Sequence, residues 1–110
     1  EEILQVPGID LVVVGPNDLS ASYGRLGDTR APDMLPIYDR IAACCKAWGM
    51  PFGVSLGSAD REAIRDWIQR GVALLGCGDD LTYMSMGSRQ TLAFVQACLD
   101  GKEGGMLDGK

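Results

Sequence analysis

The chain has 110 residues, 46% of them hydrophobic and 23% charged, which is enough for one small globular domain and excludes a disordered segment. A formal net charge of −5 with no basic stripe excludes a phosphate-binding, nucleic-acid role. No apolar run approaches the roughly 18 residues of a membrane span, and no signal-peptide pattern precedes the first strand, so no membrane contact and a cytoplasmic location are expected. Cys44, Cys45, Cys77 and Cys98 form no C-x-x-C pair, and the chain contains no histidine, so zinc sites and Ser-His or Cys-His nucleophile pairs are excluded within it. The cysteines are expected to be small hydrophobes in a reducing compartment.

In chain order, residues 1–5 read as the tail of a helix broken by Val6-Pro7-Gly8. That acidic, helix-like opening reads as an element already under way, and a piece of a longer protein is expected. A strand follows at 9–15. Its run Leu11-Val12-Val13-Val14 has no polar residue on either face, the pattern of a parallel strand covered on both sides. A short helical turn is expected over 18–23 with Gly24 ending it, then a polar loop over 25–31. A helix starts between Pro32 and Pro36, with Ile37, Ile41, Cys44, Cys45 and Trp48 as its buried face and Gly49 as its stop. The second strand is Pro51 to Leu56. Ser58 is the expected N-cap of the next helix, with Asp60 and Glu62 in its first turn, an apolar face of Ala63, Ile64, Trp67 and Ile68, and Gly71 closing it. Val72 to Cys77 is the third strand. Asp79 and Asp80 open a helix running from about Leu81 to Leu99, which Gly87 is expected to bend or split. Residues 102–110 are Gly-rich and polar, a mobile tail.

Strand–helix repeats imply parallel strands in an α/β fold. Three strands need completion, either in an eight-stranded barrel or in an open doubly wound sheet. The phosphate-loop signatures of the open sheet are missing, so part of a barrel is the better reading.

The residues with most chemical content follow the first strand: Gly15-Pro16-Asn17-Asp18-Leu19-Ser20. Pro16 ends pairing because it has no N–H, and Gly15 permits close approach of a ligand. Asn17 and Asp18 then stand just past the carboxyl end of a strand, where α/β proteins gather binding and chemistry. Two uses are open for Asp18, capping the following helix and ligating a metal. Asp80-Leu81-Thr82 echoes Asp18-Leu19-Ser20, which favours capping for both aspartates.

The run Pro7 to Gly24, with its Gly-Pro-x-Asp-Leu-Ser signature, resembles the metal-dependent 2-oxo-acid aldolases of the HpcH/HpaI aldolase/citrate lyase family, and the likeness continues through Gly49-Met50-Pro51, the Gly71 turn and Gly78-Asp79-Asp80. It implies a TIM-type (β/α)8 barrel, of which residues 1–101 would be the last three βα units. It also implies that Asp18 binds Mg²⁺ or Mn²⁺. The Asn17 backbone amide would hold the carboxylate of pyruvate or a 2-oxo acid, with Gly15 and Pro16 forming the turn that admits the substrate. The implied reaction is cleavage of a 4-hydroxy-2-oxo acid to pyruvate and an aldehyde, in which a divalent ion stabilises charge building on the ketone oxygen. The family's second carboxylate ligand, its histidine base and its arginine match nothing here. No catalytic residue is therefore expected within this chain, and the chain alone is expected to be inactive. Ser55 and Leu56 fall near the family's aldehyde pocket, though a core or turn role is equally open. The resemblance also implies a homo-oligomer assembled through the last helix. A citrate-lyase or malyl-CoA type of C–C lyase and a non-catalytic assembly module are the competing readings.

Overall fold

A computed structural model describes residues 1–101; residues 102–110, where the tail was expected, lie outside the described residues. The elements in order are a 3-10 turn Ile3–Gln5, strand β1 Val12–Val14, helix α1 Pro16–Ser22, helix α2 Leu35–Ala47, strand β2 Phe52–Ser55, helix α3 Arg61–Arg70, strand β3 Leu74–Gly76 and helix α4 Asp80–Leu99. The chain divides into two compact units, Glu1–Cys77 and a second that begins at Gly78.

In the first unit the strands lie in the order β1-β2-β3 and pair in parallel. Val12, Val13 and Val14 face Phe52, Gly53 and Val54, and Gly53, Val54 and Ser55 face Leu74, Leu75 and Gly76. Side chains alternate across the sheet, so Val14, Phe52, Val54 and Leu56 enter one face. There they meet Met34, Tyr38, Ala42 and Cys45 from α2 and the segment before it, and Trp67 from α3. Fully burying side chains of this size contributes roughly 1.5–3 kcal/mol each. Tyr38 and Trp67 stack with ring centroids 5.0 Å apart, and the Arg70 guanidinium lies 5.2 Å from the Trp67 centroid and 5.7 Å from that of Tyr38. Asp39 fixes Arg70 at 2.8 Å, so α2 and α3 are joined by an aromatic pair under a tethered cation.

Local chemistry explains the helix ends. The Asp60 side chain accepts hydrogen bonds from the Glu62 and Ala63 N–H groups, and Gly71 closes α3 in the left-handed conformation that a side chain would disfavour. Gly53 serves close approach instead. A Cβ there would stand 2.6 Å from Leu74 Cβ and 2.8 Å from the Leu74 carbonyl oxygen.

Several expectations are corrected. The N-cap of α3 is Asp60, not Ser58, because the turn carries the chain two residues further before the first helical N–H groups point at a carboxylate. Helix α1 starts at Pro16, two residues early. Helix α4 runs unbroken through Gly87. Trp48 and Ile68, expected in helix cores, are 47% and 59% exposed, while Tyr38 is buried at the centre. The β1 run is covered on one face only, since Val13 is 48% exposed, as is Leu74 at 47%. In the second unit, α4 has no buried residue, and Leu92, Val95 and Leu99 are all exposed. Of the four cysteines only Cys45 is fully buried. Burial pushes the Cys45 thiol above its ordinary pKa, which keeps it protonated and inert.

Candidate functional site

Strand β1 ends at Val14, and Gly15, with an extended backbone (φ −99°, ψ 98°), serves as the N-cap of α1. Pro16 takes the first helical position, where a missing N–H costs nothing. The helical ladder begins with the Leu19 N–H donating to the Gly15 carbonyl at 2.9 Å. The N–H groups of Asn17 and Asp18 precede that bond and have no intrahelical partner. Buried Ser20 donates its hydroxyl to the Asn17 carbonyl at 2.9 Å and fixes the turn from beneath.

Asp18 is the third residue of α1, not its cap. Its carboxylate makes no hydrogen bond or ion pair among the described residues and is exposed. One oxygen, Oδ2, lies 2.9 Å from where a Cβ on residue 15 would stand. The glycine thus leaves the space that the carboxylate occupies. The echo with Asp80 does not hold in register. Asp79 is the N-cap of α4, and its carboxylate accepts the Thr82 N–H at 2.6 Å. Asp80 accepts the Leu81 N–H at 2.9 Å, so both serve the helix start, as expected for that pair. Bonds from Thr82, through side chain and backbone, hold the Asp79 carboxyl below its ordinary pKa.

The exposed face of the sheet completes the neighbourhood. Because Val14, Phe52, Val54 and Leu56 point into the core, Val13, Gly53 and Leu74 form one level of the opposite face. Gly15, Ser55 and Gly76 form the next, at the carboxyl ends. Adjacent strands are about 4.8 Å apart, so Ser55 stands one strand from the Gly15–Asp18 corner. Its hydroxyl has no partner among the described residues. Leu56 belongs to the core. Period-2 alternation from Phe52 to Leu56 is the sequence signal that separates the two.

An open groove of about 710 Å³ runs from this corner along the free edge of β1, lined by Asp18, Val13, Leu19, Ile37, Ile41 and Cys44 among others. Arg25 and Arg30 pair instead with Asp33 (2.8 Å) and with Glu62 and Asp66 (3.0 and 3.1 Å), exposed contacts that brace the loop after α1. Among the described residues no three metal-ligating side chains cluster. Asp18 offers one free carboxylate, which suits Mg²⁺, an ion that takes one or two carboxylates and fills its shell with water and substrate.

A parallel βα sheet with a free carboxylate, free backbone donors and two glycines at its carboxyl edge is the layout of an α/β protein whose ligand edge lies there. The chain belongs to the HpcH/HpaI aldolase/citrate lyase family, whose model matches residues 1–83. It is 33% identical over 96 residues to 2-dehydro-3,6-dideoxy-6-sulfogluconate aldolase of Pseudomonas putida, covering 87% of this chain and 37% of that protein. The crystal structure of a family protein from Burkholderia cenocepacia J2315 superposes with a TM-score of 0.77 at 35% identity, over 86% of this chain and 36% of that one. A citrate synthase, SbnG, superposes with a TM-score of 0.73 at 29% identity, over 90% and 40%. The chain spans about a third of the length of the curated relatives it matches. Among the described residues no helix is long and apolar enough to cross a membrane.

Proposed function

We propose that this chain is the last three βα units of a (β/α)8 barrel that cleaves 4-hydroxy-2-oxo acids to pyruvate and an aldehyde with Mg²⁺ or Mn²⁺. The observation that carries the reading is the unpaired Asp18 carboxylate held over Gly15 at the carboxyl edge of the sheet. In this reading Asp18 is one metal ligand, and the Asn17 N–H receives the substrate carboxylate. Pro16 removes a competing donor, and Gly15 leaves the space. When bound, the ion supplies Lewis-acid stabilisation of charge on the ketone oxygen. The uncovered β1 edge and its groove are where the rest of the barrel docks, and the chain alone is inactive because among the described residues Asp18 is the one carboxylate at this corner and the chain has no histidine. Helix α4, apolar on exposed Leu81, Met84, Leu92 and Leu99, supplies a contact between subunits of a homo-oligomer.

The test is pyruvate release from 4-hydroxy-2-oxo acids by the full-length polypeptide containing this chain, with Mg²⁺, Mn²⁺ or chelator. Metal-dependent release supports the reading, and release unaffected by chelator contradicts it. The likeness to SbnG favours a second reading, carbon–carbon bond formation on a larger carboxylic acid partner. Citrate-type or CoA-thioester turnover without pyruvate release would establish that one.

A further inference from the structure

We infer that Ser20 is a positioning residue for the metal ligand: its buried hydroxyl locks the peptide plane from which Asp18 projects, and so sets the affinity of the site for its divalent ion. This rests on the metal-dependent aldolase reading above. Ser20 is 0% exposed, as are the core residues Met34 and Val54. Its hydroxyl donates to the Asn17 carbonyl at 2.9 Å. The Asn17 carbonyl oxygen and the Asp18 Cα lie in one rigid peptide plane, so a bond that holds the oxygen also holds the Asp18 Cα. Only the side-chain torsions of Asp18 then remain to carry its carboxylate to the space that Gly15 leaves, where Oδ2 lies 2.9 Å from the position of a residue-15 Cβ.

The turn depends on this restraint because its own local structure is weak. No side chain caps the start of α1. A helix of seven residues has little stability by itself, since nucleation is costly and few hydrogen bonds offset it. Ser20 also ties the other end of the helix. Its carbonyl accepts the Arg25 N–H at 2.7 Å and the Tyr23 N–H at 3.1 Å, which joins the Asp18 turn to the loop that follows. A ligand whose backbone is fixed before the ion arrives gives up less freedom on binding, and that difference appears as affinity. Ser22 provides an internal contrast. It donates to the Leu19 carbonyl at 2.7 Å, a bond of the same type, but it is exposed and holds the plane between residues 19 and 20 rather than the one that carries Asp18.

The experiment is Mn²⁺ titration of the full-length polypeptide, read by electron paramagnetic resonance of the free ion, for wild type, Asp18→Asn, Ser20→Ala, Ser20→Cys and Ser22→Ala. Urea unfolding of each metal-free protein runs alongside, and binding is measured where each is folded. Ser20→Ala removes the donor, and Ser20→Cys fills the volume with a weak one. Both should bind Mn²⁺ about 3- to 10-fold more weakly than wild type, the effect of one hydrogen bond. Ser22→Ala should bind as wild type does. A serine that only packs the turn would lower the unfolding midpoint and leave the affinity of the folded protein unchanged. That outcome, or equal weakening by Ser22→Ala, would overturn the role of Ser20 and leave the aldolase reading intact. Undiminished binding by Asp18→Asn, or no Mn²⁺ binding by wild type, would overturn both.

Discussion

Placing an alanine at Gly53 is the sharpest perturbation of the sheet that carries the site. The added Cβ would stand 2.6 Å from Leu74 Cβ and 2.8 Å from the Leu74 carbonyl oxygen, against a favourable carbon–carbon separation of about 3.5–4.0 Å. Neither neighbour is the end of a flexible side chain. Hydrogen bonds on either side, Ala73 N–H to Phe52 carbonyl and Leu56 N–H to Gly76 carbonyl, both 2.8 Å, hold β3 against retreat. Overpacking of this kind costs about 1–3 kcal/mol, and the stiffer unfolded chain returns about 0.4–1 kcal/mol. A net loss of about 1–2 kcal/mol is expected in urea unfolding followed by the fluorescence of the tryptophans, of which Trp67 is buried. The control is Gly76→Ala, whose Cβ would meet nothing closer than 3.5 Å and should change stability by less than about 0.5 kcal/mol. If Gly53→Ala unfolds at the same urea concentration as wild type, the parallel register of β2 and β3 is wrong.

Three further outcomes are expected. Tyr38→Phe removes the hydroxyl bond to the Thr29 carbonyl (2.9 Å) and should cost about 0.5–1.5 kcal/mol at neutral pH. Burial also raises the Tyr38 pKa, so its contribution is present below the ordinary tyrosine value and lost as pH rises through the higher folded value; the phenylalanine variant should lack that alkaline loss in denaturation curves. The Asp79 carboxyl is held low, so its capping is present above the ordinary carboxylate range and disappears as pH falls through the folded value. Asp79→Ala should speed amide exchange at Thr82 at neutral pH and remove the acid dependence of that exchange. Gly15→Ala places a Cβ 2.9 Å from Asp18 Oδ2, a group able to rotate, on a backbone that alanine adopts freely. It should weaken Mn²⁺ binding by the full-length polypeptide about tenfold with the unfolding midpoint unchanged.

Much of the fold is written locally. The Asp79 cap, the Gly71 stop and the apolar runs of β1 to β3 are each fixed by residues within a few positions, and the three-strand α/β pattern follows from them. The errors in the core arose where distant partners decide. Helix α2 turns Tyr38, Ala42 and Cys45 inward because Trp67 and Arg70 of α3 lie there, while Ile37 and Ile41 border the open groove and Trp48 faces outward. Reading apolar spacing alone selected the aliphatic row and passed over a tyrosine whose hydroxyl finds a backbone partner. At the candidate site the motif pointed to Asp18, but capping and ligation could not be separated without the helix register that makes Gly15 the cap.

The central claim is that Asp18 ligates the divalent ion. Titration of the full-length polypeptide with Mn²⁺, followed by electron paramagnetic resonance of the free ion, measures this without relying on turnover. Wild type should remove Mn²⁺ from solution with one site per chain. Asp18→Asn keeps the shape but loses the charge, and it should bind at least about tenfold more weakly. Undiminished binding by the folded Asp18→Asn variant would contradict the account and return Asp18 to a helix-starting residue.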